Sequence, residues 1–222
     1  MGRQRKREQD GGQGDRGQAF TLEGLVGALL ILTALWYALQ IVVVMPETGG
    51  AVDADVRENL RQQADDALLI TSQAEENDLT SLVRNWSQSR RTFTGALNPD
   101  IGYGMRRIPG PLGTVLQEGV TDRGRLYNVE MRYLESDPSN GTETVTIASQ
   151  GSPSGDAVVA TQRVVLYDNM TLTAPSAGAA ELWQYDTHPT SNPISGKSGY
   201  YPVPNAVEGP VYNIVEVRVI VW

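Results

Sequence analysis

The longest apolar run in the sequence lies near its N-terminus, from Phe20 to Val44. Its 25 residues would form a helix about 38 Å long at about 1.5 Å per residue. The apolar core of a bilayer needs roughly 20 helical residues. The pattern therefore predicts a transmembrane helix, and the basic residues before it predict a cytoplasmic N-terminus and an outward-facing remainder.

Two other interpretations of this run stay open. A buried helix of a soluble protein is disfavoured, because such a helix is rarely apolar on all faces over this length. A cleaved secretory signal usually has an apolar region of about 7 to 15 residues followed by an A-x-A-like site. The sequence offers only a poor match to such a site, around Gly49, Gly50 and Ala51.

After the apolar run, the spacing of hydrophobic positions remains that of helices for about fifty residues. Met45 to Gly50 contains a proline and two glycines, which predicts a break. From Asp53 to Asn77, apolar residues recur at intervals of three and four, which predicts an amphipathic helix that lies on its own domain or packs on neighbouring subunits. Asp78 is placed to cap a further helix that carries Leu79, Leu82, Val83 and Trp86.

The period then changes to two, which is typical of strands. Ile101 to Gly124 is predicted to be irregular, with a short helix around Leu112 to Glu118. Tyr127 to Tyr133 and Glu143 to Ser149 alternate around a turn at Ser136 to Gly141, which predicts a hairpin. Further strands are predicted in Ala157–Asp168 and Val211–Trp222, separated by a polar loop, Ala174 to Pro210.

These elements predict an α+β fold in which an N-terminal transmembrane helix precedes amphipathic helices and a four-stranded antiparallel sheet. The predicted organisation has four parts: a basic leader over residues 1–17, an apolar helix over 18–45, a helical stalk with a second helix over 46–100, and a β-rich head over 101–222.

The charge is unevenly distributed along the chain. The net charge is -8, and the first 17 residues carry five basic and three acidic side chains, so that the remainder has a net charge of -10. Such an acidic domain repels phosphate backbones, which argues against nucleic-acid binding. Only Lys6 and Lys197 are lysines, and this acidic, lysine-poor composition resembles that of proteins from salt-loving archaea.

The sequence offers little chemistry for catalysis. It has no cysteine and a single histidine, His188, so neither a zinc-thiolate site nor a histidine triad is expected. The acidic pairs Asp65-Asp66 and Glu75-Glu76 lack the spacing of a calcium loop. No phosphate loop or nucleophile elbow is present. We therefore predict a non-enzymatic protein without a cofactor or metal.

Three N-glycosylation triplets begin at Asn85, Asn140 and Asn169. Asn140 lies in a predicted exposed turn and is the best candidate acceptor. Asn85 is disfavoured, because Trp86 beside it is expected to pack in the core.

The segment from Arg16 to Leu30, RGQAFTLEGLVGALL, resembles the class III signal of type IV prepilins, in particular those of archaea. In that family a prepilin peptidase cuts before the apolar helix, which stays on the mature protein. The resemblance implies a cut between Gly17 and Gln18, and a cut after Gln18 would match the bacterial spacing to Glu23. It covers about 30 residues, and the order of a long helix followed by a sheet also fits the pilin plan.

The resemblance gives Glu23 a role in assembly. Cleavage frees an α-amino group with a pKa near 7.7 to 8, and in pilins the carboxylate is thought to meet the amine of a neighbouring subunit. Such a pair in apolar surroundings serves specificity more than stability. The resemblance thus implies that Glu23 sets the register between subunits.

The leading functional prediction is a type IV pilin-like structural subunit, a minor component of a surface filament or pseudopilus. Its implied partners are the membrane, the prepilin peptidase, other pilin-like subunits, and the assembly ATPase with its membrane platform. The alternative is an uncleaved, single-pass, membrane-anchored extracellular binding module. In that case Trp183, Tyr185, Tyr200 and Tyr201 are its candidate contact surface, although core packing is the favoured explanation for these aromatic residues.

Overall fold

The computed structural model describes residues 14–40, 48–187 and 196–222. The chain divides into two compact units, Met1–Ala51 and Val52–Trp222. Val44 and His188, which the sequence analysis singled out, lie outside the described residues. So do residues 1–13 of the predicted leader and Pro46 of the predicted break.

The first unit contains helix α1, Gly14–Gln40, of 27 residues. Its first ten residues carry Asp15, Arg16 and Glu23, and charged side chains disfavour a place in the apolar core of a bilayer. Among the helices of the described ranges, none combines the length and the apolar character needed to cross a membrane. The prediction of a transmembrane helix is therefore wrong.

The second unit begins within helix α2, Thr48–Ser72. Gly49 and Gly50 lie in this helix, so the break predicted at these glycines is not found there. The buried apolar positions of α2 are Leu60, Ala64, Ala67 and Leu68, with Thr71 buried one turn further on, and their spacing confirms an amphipathic helix.

Helix α3, Leu79–Val83, starts where the sequence predicted. The backbone N–H of Ser81 donates a 2.8 Å hydrogen bond to Asp78 Oδ1, which makes Asp78 the N-cap. The prediction that Trp86 belongs to this helix was wrong. It lies in strand β1, Trp86–Ser87, which pairs with β2, Thr92–Phe93, and its ring meets that of Phe93 edge to face at 5.4 Å.

The connection to the main sheet contains helix α4, Pro111–Gly119, which confirms the short helix predicted around Leu112 to Glu118. Proline suits its first turn, where no intrahelical donor is needed. A 3-10 helix, Thr121–Arg123, follows and leads into the sheet.

Four strands form one antiparallel sheet: β3 Tyr127–Leu134, β4 Thr142–Ser149, β5 Val158–Tyr167 and β6 Val211–Val221. Their order is β4-β3-β6-β5, so the C-terminal strand lies in the middle. The 3-10 helix Pro138–Asn140 forms the predicted turn between β3 and β4. The α+β arrangement and the four-stranded antiparallel sheet are confirmed.

One face of the sheet supplies the core. Val129 and Met131 of β3 are fully buried, as are Val217 and Val219 of β6, and they belong to the same hydrophobic cluster as the buried residues of α2, α3 and α4. The alternation along each strand divides the sheet into a buried and a solvated face.

Two buried asparagines form hydrogen bonds with backbone groups at opposite ends of the central strands. Asn213 accepts from the N–H of Leu134 at 3.2 Å and donates to the carbonyl oxygens of Leu134 and Pro204 at 2.9 and 2.8 Å. At the other end, Asn128 accepts from the N–H of Gln150 at 2.8 Å and donates to the carbonyl oxygen of Gly151 at 2.9 Å. Both amides therefore satisfy backbone groups of loops and strand ends.

The segment predicted as a polar loop before β6 contributes to the core. It contains a 3-10 helix, Leu182–Gln184, and buries Leu182, Tyr185, Tyr201 and Val203. The segment is rich in polar residues, but its hydrophobic residues are part of the core.

Candidate functional site

Helix α1 presents apolar side chains to the outside on every face. Eight large ones are between 48% and 68% exposed: Leu25, Val26, Leu29, Leu30, Ile31, Leu32, Leu35 and Trp36. Each contributes about 1.5 to 3 kcal/mol when it is fully buried. A helix that is apolar all round is normally covered on all sides.

The residues of the predicted processing signal lie on the same helix. Gly17, Gln18 and Phe20 are within α1, and Glu23 is exposed on it. Gly24, next to Glu23, leaves open space where a Cβ would be. Small residues allow the backbones of packed helices to approach closely, so a neighbouring helix has room beside Glu23.

The three glycosylation triplets differ in exposure. Asn140 is exposed on the 3-10 helix of the β3–β4 turn, and Asn169 is exposed in the turn after β5. Asn85 is half-buried, and its hydroxyl residue Ser87 is only 7% exposed. The exposure favours Asn140 and Asn169 as acceptors.

The four aromatic residues proposed as a contact surface do not form one. Tyr185 and Tyr201 are buried in the core, Tyr200 is half-buried, and Trp183 is exposed. Burial raises the pKa of Tyr201 well above its ordinary value and that of Tyr185 less strongly. Core packing accounts for the two buried rings.

The acidic pairs of the sequence are solvated. Asp65 and Asp66 are exposed on α2, and Asp65 lies 3.9 Å from Arg61. Glu75 and Glu76 are exposed in the turn after α2. Within the described ranges, no three histidine, aspartate or glutamate side chains are grouped so that they could hold a metal ion.

Two adjoining clefts lie where β3 begins, and they share Val56, Leu60 and Arg125. We call them the basal clefts. The larger has a volume of about 480 Å³ and the smaller of about 170 Å³. Three arginines and two aspartates are among their lining residues: Arg57, Arg123, Arg125, Asp55 and Asp156.

Two of the basal arginines have partners within the fold. Arg57 lies 4.0 Å from Asp156. Arg123 Nη1 donates a 2.8 Å hydrogen bond to the Gln63 side-chain oxygen, in the amide orientation that also lets Gln63 donate to the carbonyl oxygen of Gly119. For Arg125, no side-chain hydrogen bond or ion pair joins it to another residue in the part of the chain that the structure describes. Its guanidinium is thus available to a ligand.

A third cleft, of about 340 Å³, lies where β3 ends, and we call it the distal cleft. It carries carboxylates and aromatic rings and no basic side chain among its lining residues: Tyr133, Glu135, Ser136, Glu143, Thr187, Tyr200, Pro202 and Pro204. An acidic cleft of this kind favours a cationic group.

A hydrogen bond and ring contacts hold two side chains of the distal cleft in place. The buried Tyr133 donates a 3.0 Å hydrogen bond from its hydroxyl to Glu143 Oε2. Burial, and then the nearby Glu143 charge, raise the pKa of Tyr133 far above its ordinary value, so this hydroxyl keeps its proton. Tyr200 is held edge to face by Trp86 at 6.0 Å, with the Arg91 guanidinium over its ring at 5.9 Å. Glu143 and Tyr200 are therefore preorganised.

The fold and the surface together define a class: an α+β domain preceded by an apolar helix whose side chains are exposed all round. The chain belongs to a family of unknown function (DUF7288), whose sequence profile matches residues 16–221. No curated protein and no solved structure is significantly similar to it. The match covers both the helix with Glu23 and the sheet, so the family unites them in one protein.

Proposed function

We propose that this protein is a type IV pilin-like structural subunit of a cell-surface filament or pseudopilus. The observation that carries the proposal is the exposure of apolar side chains on all faces of α1. One neighbour covers only one face of a helix. A bundle of equivalent helices from other copies covers every face, which is the arrangement of a filament core.

The second unit, Val52–Trp222, is called the head from here on, and it supports this proposal. Among the residues whose burial the structure describes, the hydrophobic core begins at Leu60 and is built from the second unit. A domain with its own core can form the outside of an assembly while α1 serves the interior. We infer that α1 contributes to assembly and not to the stability of the head.

The position of Glu23 supports a specific register within the bundle. A carboxylate buried among apolar helices needs a cationic partner. In the proposal, a prepilin peptidase cleaves at Gly17–Gln18, and the new α-amino group of one subunit pairs with Glu23 of another. The assembly ATPase and its platform are the further partners implied.

The first experiment is to determine the N-terminus of the protein from cells by mass spectrometry. A chain that begins at Gln18 or Ala19 supports the proposal. A chain that begins at Met1, or near Ala51, contradicts it, because the first keeps the leader and the second lacks α1.

The second experiment tests assembly. Glu23→Gln and Glu23→Ala should prevent formation of sheared, sedimentable filaments, while the circular dichroism of the head stays unchanged. Glu58→Gln is the matched control, because Glu58 is an exposed carboxylate on α2. Normal filaments from both Glu23 variants would contradict a role for this carboxylate.

A further inference from the structure

The basal and distal clefts lie at opposite ends of strand β3. Arg125 comes two residues before the strand, and Glu135 follows its last residue directly. Glu143 pairs with Tyr133 near the same end as Glu135. At about 3.3 Å per residue, β3 separates the two clefts by roughly 26 Å, so they cannot meet within one chain.

The two clefts are complementary in charge. The basal clefts carry three arginines against the two aspartates Asp55 and Asp156. Arg125 is the arginine among them without a side-chain partner among the described residues, since Arg57 lies near Asp156 and Arg123 bonds Gln63. The distal cleft presents Glu135 and Glu143 beside the half-buried ring of Tyr200. The Arg91 guanidinium of the same chain already lies over the Tyr200 ring, so the carboxylates are the groups that a partner would meet. A guanidinium forms bidentate pairs with carboxylates, so Glu135 and Glu143 suit an arginine side chain.

We propose that the basal clefts of one copy dock on the distal cleft of the next, with Arg125 reaching Glu143 and Glu135. This inference rests on the proposed function and adds the contact that orders the heads along the filament. Two different patches at opposite ends of one subunit make a head-to-tail contact, which propagates into a filament or a ring. A symmetric pairing of two identical patches would stop at a dimer.

The natural chain lacks cysteine, so disulfide trapping gives a clear test. The variant with both Ser154→Cys and Ser136→Cys places one exposed cysteine in a basal cleft and one in the distal cleft, and it keeps Arg125, Glu135 and Glu143. It cannot close a bridge within one chain, because a disulfide needs Cα atoms within about 7 Å. Mild oxidation of its filaments should give a ladder of multimers on a non-reducing gel. Each single-cysteine variant should remain monomeric. The matched control is Val159→Cys with Tyr167→Cys, two exposed positions with the same separation along β5, which should give no ladder.

The outcomes separate this inference from the proposed function. Filaments that form without a ladder overturn the docking of the clefts and leave the filament proposal standing. Dimers from either single-cysteine variant indicate a symmetric contact and also overturn it. Failure of the unsubstituted chain to form filaments overturns the proposed function, and the docking inference with it.

A charge exchange provides the second readout. Arg125→Glu alone and Glu135→Arg alone should each reduce the assembled fraction at least tenfold, and the combined variant should restore it. Glu135 is preferred to Glu143 here, because Glu143 also accepts the hydrogen bond of Tyr133. Unchanged circular dichroism shows that each variant is folded, and absence of rescue in folded variants counts against the contact.

Discussion

The hydroxyl of Tyr201 donates a 2.9 Å hydrogen bond to the carbonyl oxygen of Val83, which lies 118 residues earlier in the sequence. This bond fixes the long segment before β6 to the end of α3. Tyr212 makes a similar bond of 2.7 Å to the carbonyl oxygen of Val203 in the same segment. Buried tyrosine hydroxyls thus anchor a region whose sequence is mostly polar.

Tyr201→Phe removes that anchor and leaves a buried carbonyl oxygen without its donor. We expect the free energy of unfolding to fall by about 1 to 2 kcal/mol. Urea denaturation followed by circular dichroism measures this loss. Tyr167→Phe is the control, because Tyr167 is 42% exposed and its substitution should change stability by less than about 0.5 kcal/mol. Equal effects of the two substitutions would contradict the anchoring role.

Position 102 requires glycine for two reasons, the lack of room for a Cβ atom and the positive φ of the backbone. Its φ is +57°, and a Cβ there would lie 2.0 Å from the carbonyl oxygen of Ile147, to which Tyr103 N–H donates a 2.8 Å hydrogen bond. Gly102→Ala should therefore cost more than about 3 kcal/mol, or prevent folding. Gly124→Ala tests conformation alone, because Gly124 has a φ of +75° with no atom within 4 Å. Gly124→Ala should lower the free energy of unfolding by about 1 kcal/mol. The same denaturation curves measure both variants. If Gly102→Ala is as stable as Gly124→Ala, the predicted clash with Ile147 is wrong.

Stability should fall in alkali. Burial raises the pKa of Tyr103 to about 12, and it also raises those of Tyr133, Tyr201 and Tyr212. Between pH 10 and 12 the unfolded chain releases these phenolic protons while the folded chain keeps them. Because the folded state then binds more protons, each such tyrosine lowers the free energy of unfolding by about 1.4 kcal/mol per pH unit. Denaturation at pH 8, 10 and 11 checks this, and a constant stability would exclude it.

Exposure predicts which asparagines accept a glycan in cells that glycosylate this protein. We expect occupancy at Asn140 and Asn169 and none at Asn85, because Ser87 of that triplet is buried. Glycopeptide mass spectrometry measures occupancy at each site. Asn140→Gln should remove one glycan and leave Asn169 unaffected, whereas a glycan on Asn85 would contradict the prediction.

Much of the fold follows from local patterns in the sequence. The alternation around Tyr127 to Tyr133 and in the last strand predicted the sheet, because a half-buried strand must alternate. Asp78 was predicted as a helix cap, because its side chain acts on a backbone donor only three residues away. Such signals involve residues only a few positions apart in the chain, so the sequence alone indicates the local geometry.

The extent of α1 was predicted less well. The apolar run from Phe20 to Val44 gave an expectation of a transmembrane helix. Helix α1 instead begins among charged residues, and no helix of the described ranges is long and apolar enough to cross a membrane. The resemblance of Arg16 to Leu30 to a prepilin signal stays a prediction, together with the assembly role of Glu23.

The sequence by itself determined the α+β class, the four strands, the capped helix α3 and the acidic, cysteine-free character of the chain. Only the tertiary structure decided that β6 lies between β3 and β5, that Tyr201 reaches Val83, and that Arg125 and Glu143 lie at opposite ends of the sheet. The physical reason is the distance along the chain over which each interaction acts. Periodicity and capping act within a few residues, whereas strand order and the placement of charges depend on contacts between distant segments, which exist only after the chain has packed.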